Sequence, residues 1–474
     1  MQINKEYHSW LEACACLYLL SPLLLFFLLF ASIPLAIVGG GFIGLAAWDI
    51  CKGSQRLACT LPAGGYLAAT TFAIVWLITT GSFGFFFQGS DWFKHFAVLN
   101  FLAGSQDGLY VTSGPEVLRY SIGWYLVPGL VLKYTDTGWQ TAISGLWSLI
   151  GVGLFFGLLI ARAGDTRRAF LAPVVFALFS GADIVGYGLT GFQRGPSGHL
   201  EWWAGWIEYA SNTTSLAWVH QHAIPAWLMI ALLMRQLERP TMLPHMALLF
   251  AATLLWSPLV AMGLLPFALY VGLGRGVGTV LSNWRTWCGA GLSLPVVIYL
   301  TADSQDIPSG FIWDMGCVGD QPSPCFSWVS YFQFVSIEFL AIFAVLVAWK
   351  KVGGGLLLIA GVSLLLIPMY RIGLMNDFGM RASLPALTVL AMLSAQLVVT
   401  ASRKHVVPML VILAIGAVTP ALEIRRGAAV GSKVPTDYDF SRLLKEKPKV
   451  RSQYFANPPG GGLVLRDRVR TASD

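Results

Sequence analysis

LYLLSPLLLFFLLFASI, residues 17–33, has no charged side chain from end to end. At about 1.5 Å of rise per residue, roughly 20 such residues cross the hydrocarbon core of a bilayer. GWQTAISGLWSLIGVGLFFGLLI (138–160) and SLPALTVLAMLSAQLVVTA (383–401) repeat the pattern far along the chain. Of the 474 residues, 56% are hydrophobic and 12% charged. A soluble domain carries about a quarter charged residues. The expected fold is therefore all-α: a polytopic transmembrane helical bundle of about 11–14 spans, with extracytoplasmic loops carrying short interfacial helices.

The expected spans are 13–33, 35–50, 59–80, 138–160, 169–187, 216–234, 242–256, 258–273, 286–301, 328–349, 353–370, 383–401 and 406–422. Residues 1–423 form the transmembrane domain and 424–474 a polar, basic C-terminal tail. The N-terminus, MQINKEYHSWLEACACLYLL, has two acids and no small-residue cleavage site, so it reads as the start of a retained span. With that terminus in the cytoplasm, the inner loops collect Lys52, Arg56, Arg162, Arg167, Arg168, Arg235, Arg239, Arg275, Arg285, Lys350, Lys351, Arg403 and Lys404. Most acids fall outside. The net charge of +7 fits this asymmetry and does not call for nucleic acid. The expected location is the inner (plasma) membrane.

One signal opposes the count. The tail is basic (LLKEKPKVR) yet lands outside. LRYSIGWYLVPGLVLKY (118–134), apolar and interrupted by Pro128, is read as an outer-interface or re-entrant piece. WSP at 256–258 is either a turn or a kink. Cys317 and Cys325 bracket an acidic outer loop and are a candidate disulfide, which needs an oxidising compartment. Cys14 and Cys16 do not have a metal spacing.

Ionisable groups are costly near a bilayer, so their placement is informative. GSDWFKHFAVLNFLAG (89–104) puts Asp91 and His95 four apart on one helical face, with Lys94 beside them. The loop 179–222 carries Asp183, Arg194, His199, Glu201, Trp202, Trp203, Trp206, Glu208, Trp218, His220 and His222. YRIGLMNDFGMRA (370–382) packs Arg371, Asn376, Asp377 and Arg381 between two spans. These residue types suit a carbohydrate: indole faces such as Trp202 stack on sugar rings, while carboxylates and amides such as Glu201, Asn376 and Asp377 bind hydroxyls. Arg371 and Arg381 suit a phosphate. Asp91 suits a general base, with Lys94 and His95 beside the substrate.

Plainer readings stand next to these. The tryptophans fit an aromatic belt, Lys94 fits snorkelling to headgroups, and His199 and Glu201 fit loop solvation. His220 and His222, two apart, face away from each other on a helix and do not form a metal pair. Asn212-Thr213-Thr214 fits a glycosylation sequon, a tripeptide common by chance. Glu338 is the one acid deep within a span; it serves either helix packing or a proton pathway.

SDWFKHFAVLN (90–100), LRYSIGWYLVPGLV (118–131) and MNDFGMRASLPAL (375–387) resemble segments of bacterial GT-C integral-membrane glycosyltransferases. That resemblance implies transfer of a sugar from a polyprenyl-phosphate carrier to a glycan or lipid acceptor on the extracytoplasmic face. Asp91 would match the first-loop acid acting as base or metal ligand, and Arg371 or Arg381 the donor-phosphate contact. The class admits a divalent metal, Mg or Mn, at a position the sequence does not name. Asp91 stands without a second acid beside it, and there is no WWDYG-like signature. The rival reading is a transporter, flippase or export component for glycans or lipids, in which Glu338 would carry the function.

Overall fold

The computed structural model describes residues 8–55, 63–111, 114–163, 169–192, 199–317, 325–349, 354–373, 375–430, 434–459 and 463–466. Six helices are long and apolar enough to cross a membrane: Trp10–Leu29, Ile33–Lys52, Thr137–Ala163, Trp328–Trp349, Asp377–Thr400 and Arg403–Val430. Five shorter apolar helices accompany them: Leu67–Thr79, Gly123–Leu132, Leu243–Trp256, Pro258–Gly274 and Gly354–Met369. The fold is an all-α polytopic transmembrane bundle. Strand content among the described residues is slight, in three two-stranded pairs.

Burial separates the centre from the rim. Asp377–Thr400 is 94% buried within its apolar window, whereas Ile33–Lys52 is 33% and Arg403–Val430 28% buried. Ile33, Ile37, Val38, Leu45 and Trp48 accordingly stand exposed, as lipid-facing side chains do.

Local chemistry sets the helix ends. Ser9 and Glu12 form a capping box, and Glu12 then reaches Arg235 at 2.8 Å. Arg162 meets Glu238 at 2.6 Å and Arg285 meets Asp49 at 2.6 Å, so bases of the expected inner loops are paired with acids. At WSP, Ser257 is extended, its hydroxyl accepts from the Val260 amide, and Pro258 opens the next helix. The chain breaks there into two helices.

Two expected spans are interrupted. In 169–187, helix Leu171–Ala177 ends before Asp183–Thr190 begins. Gly181 lies in the gap, where a Cβ would fall 2.0 Å from Glu338 Oε2, so backbone and carboxyl pack without room for a side chain. In 216–234, Val219 separates Asn212–Trp218 from His220–Glu238. The 118–134 segment forms the ten-residue helix Gly123–Leu132, about 15 Å long and half a bilayer core. Its start is pinned against Trp256, whose Cα lies 2.7 Å from where a Gly123 Cβ would stand.

The tail does not hang free. Val117 and Leu118 pair antiparallel with Ala456 and Phe455. Asn100 Nδ2 donates to the Thr436 and Tyr438 carbonyls at 2.8 and 2.9 Å, and Gln88 Oε1 accepts from the Val434 amide at 3.2 Å. The tail therefore lies at the same end as the 81–137 loop. Arg451 of the tail binds Glu116 of that loop, and Arg442 binds Glu446 within the tail.

Candidate functional site

The first polar centre sits where the helix Asp91–Gly104 begins. Asp91 binds Lys94 at 3.1 Å, one turn on. From the far side of the sequence, Asp377 binds Arg381 at 2.8 Å. The two pairs lie near each other: Arg381 is within electrostatic reach of Asp91, Tyr120 and Tyr454, and Lys94 within reach of Tyr120 and Arg381. Four separate stretches, including the tail, thus converge. Burial alone would lower the Lys94 ammonium, but Asp91 and Tyr120 outweigh it and hold the group above its usual range.

The geometry gives the other expected residues specific places. His95 is fully buried; its Nε2 faces the Trp218 carbonyl at 2.9 Å and its Nδ1 the Tyr125 hydroxyl at 2.7 Å. A carbonyl only accepts, so Nε2 carries the proton and Nδ1 accepts from Tyr125. Burial, then Lys94, lowers the His95 pKa well below the usual imidazole range. Asn376 adopts left-handed backbone (φ 56°), caps the Gly379 amide at 3.2 Å, and donates to the Trp206 carbonyl at 3.2 Å. It thereby aims Asp377 and Arg381. Arg371 is buried, its guanidinium donating to the Gly373 and Cys317 carbonyls at 3.2 Å each. Cys317 and Cys325 are joined in a disulfide. Arg194 lies outside the described residues.

Glu201 and Trp202 belong to a second centre. His199 Nε2 lies 3.5 Å from Glu201 and 3.5 Å from Glu208, while His199 Nδ1 meets Glu423 at 3.0 Å. Arg426 closes the group by binding Glu423. Glu201 Oε1 accepts from the Ser211 amide and the Thr214 hydroxyl, both at 2.8 Å. Burial would lower His199, but Glu208, Glu423 and Glu201 raise it well above the imidazole range. Burial, then Glu208, raises the Glu201 carboxyl well above its usual range. One ligand atom from each of His199, Glu201 and Glu208 lies within 4.8 Å of the others, so this buried cluster could chelate a divalent metal. Trp202, Trp203 and Trp206 are buried; Trp203 and Trp206 pack on Phe334 instead of standing in a belt.

A third pair lies deeper. Glu338 sits in a π-helical turn, Ser336–Leu340, and its Oε1 accepts from Trp203 Nε1 at 2.7 Å. Asp183 accepts from Ser180 and Thr419 at 2.9 and 2.8 Å. The remaining oxygens, Glu338 Oε2 and Asp183 Oδ1, are buried without a conventional donor, and the two carboxyls lie within hydrogen-bonding reach of each other.

Sequence reasoning missed Tyr120, Tyr454 and Glu423. Glu423 and Arg426 stand three apart in a helix that runs on to Val430, beyond the expected end at 422. That spacing was a usable signal. Nothing in the tail's composition pointed to Tyr454. No family model matches the chain, and neither a characterised protein nor a solved structure is similar enough to match it. Fold and site together define a multi-span membrane protein with a buried His/Glu cluster able to chelate a metal.

Proposed function

We propose that the protein is a membrane glycosyltransferase of the GT-C kind, moving a sugar from a polyprenyl-phosphate carrier to a glycan or lipid acceptor on the extracytoplasmic face. The observation that carries this reading is the proximity of Asp91–Lys94 to Asp377–Arg381, with Tyr120 and Tyr454 in electrostatic reach. Asp91 is partly open to solvent, so an acceptor hydroxyl can approach it. In the reaction, the acceptor oxygen bonds to the anomeric carbon and the bond from that carbon to the phosphate oxygen breaks. Asp91 takes the hydroxyl proton, and the leaving phosphate keeps the electron pair. Arg381 suits that phosphate better than Arg371, whose guanidinium is already spent on backbone carbonyls. The disulfide beside Arg371 supports placing this end in an oxidising compartment. The test is Asp91→Asn in folded, membrane-inserted protein supplied with polyprenyl-phosphate sugars. Retained transfer would rule out the base.

The Asp183–Glu338 pair favours one second reading, a proton-coupled transporter or flippase. π-turns recur at functional sites, and facing buried carboxyls can share a proton. Loss of function in Glu338→Gln but not in Asp91→Asn would select it.

A further inference from the structure

We infer that His199, Glu201 and Glu208 bind one divalent transition-metal ion through His199 Nε2, Glu201 Oε2 and Glu208 Oε1, in a centre distinct from the Asp91–Arg381 group. The inference does not rest on the transferase reading.

Distance is the first argument. His199 Nε2 stands 3.5 Å from each of the two carboxylate oxygens. Charge-assisted hydrogen bonds are shorter, about 2.7–2.9 Å. Two atoms each about 2.1 Å from one ion, at a tetrahedral angle, lie about 3.4 Å apart. The two distances from His199 are those of ligands around an ion, and the whole set lies within 4.8 Å.

Orientation is the second. Glu201 is fully buried, and its Oε1 is fixed by Ser211 and Thr214. Oε2, the oxygen facing His199, has no hydrogen-bond partner. His199 Nδ1 is held at 3.0 Å by Glu423. A carboxylate accepting from Nδ1–H leaves the Nε2 lone pair to a metal, an arrangement that orients ligating histidines widely.

Charge is the third. Glu201, Glu208 and Glu423 bring three carboxylates, against which Arg426 sets one guanidinium. Carboxylates thus outnumber the one permanently charged base around His199. A nitrogen ligand beside two carboxylates suits Mn²⁺ or Zn²⁺; Mg²⁺ prefers oxygen and water throughout. Three protein ligands leave a coordination position for water.

The test uses the full chain in detergent, stripped with chelator and titrated with Mn²⁺, Zn²⁺ and Mg²⁺. Equilibrium dialysis should find one Mn²⁺ or Zn²⁺ per chain, held at least about tenfold more tightly than Mg²⁺. Electron paramagnetic resonance of the Mn²⁺ form should show coupling to one imidazole nitrogen, lost in His199→Gln. Glu201→Gln should weaken binding about 100-fold, and Glu423→Gln by about 10–100-fold. Where His199→Gln does not fold, the nitrogen coupling of the wild type and the Glu423→Gln affinity decide the matter. No stoichiometric uptake, a bound ion without nitrogen coupling, or unchanged affinity in Glu201→Gln would each overturn the site.

Discussion

The Asp91–Arg381 group and the His199–Glu423 group both gather charge from distant parts of the chain, yet they are built on opposite terms. In the first, each acid has its own base at 2.8–3.1 Å, and the acids are about a third exposed. In the second, three carboxylates share one imidazole and one guanidinium, all nearly buried. Lys94 and Arg381 are mostly buried but balanced by acids that stay open to solvent, so the first group can meet a ligand from that side. Buried excess charge is costly, so the second needs a cation or a proton to complete it.

That contrast can be broken by substitution. The largest effect expected is in Asp91→Asn, which should lower transfer about 100-fold or more and, because buried Lys94 loses its acid, lower the unfolding temperature too; transfer per folded molecule, with a thermal melt, separates the two. Next comes Arg426→Ala, which takes the guanidinium from Glu423 and leaves it His199 and Trp218, and should cost about 2–3 kcal/mol in denaturant unfolding. Cys317→Ser opens the short loop that presents a carbonyl to Arg371 and should cost about 2 kcal/mol, read in the same way. Arg381→Ala should change stability least, by about 1 kcal/mol, because its pair is partly solvated. A large stability loss there would erase the distinction between the two groups.

Much of the fold was legible because bilayer-length apolar runs have few other uses. Trp10–Leu29 and Thr137–Ala163 lie close to where hydrophobicity placed them. Legibility failed where tertiary packing overrides an apolar run. At the break at 178–182, Gly181 lets the backbone pass against Glu338 from a distant helix, a contact that no local pattern reports. Of the candidate residues, Asp91, Asp377 and Arg381 stood out because charge is rare beside apolar helices. Tyr454 did not, since only the pairing of 117–118 with 455–456 carries it to the site. Glu201 stood out as a carboxylate, but the His199 it faces is tied to Glu423, on a helix over 200 positions away.

Binding of a short-chain polyprenyl phosphate tests the central claim most directly, by titration into wild type, Arg381→Ala and Glu201→Gln. Binding should be at least about tenfold weaker in Arg381→Ala, with none of that loss in Glu201→Gln. Equal affinity in wild type and Arg381→Ala, or a loss that follows Glu201, would contradict it.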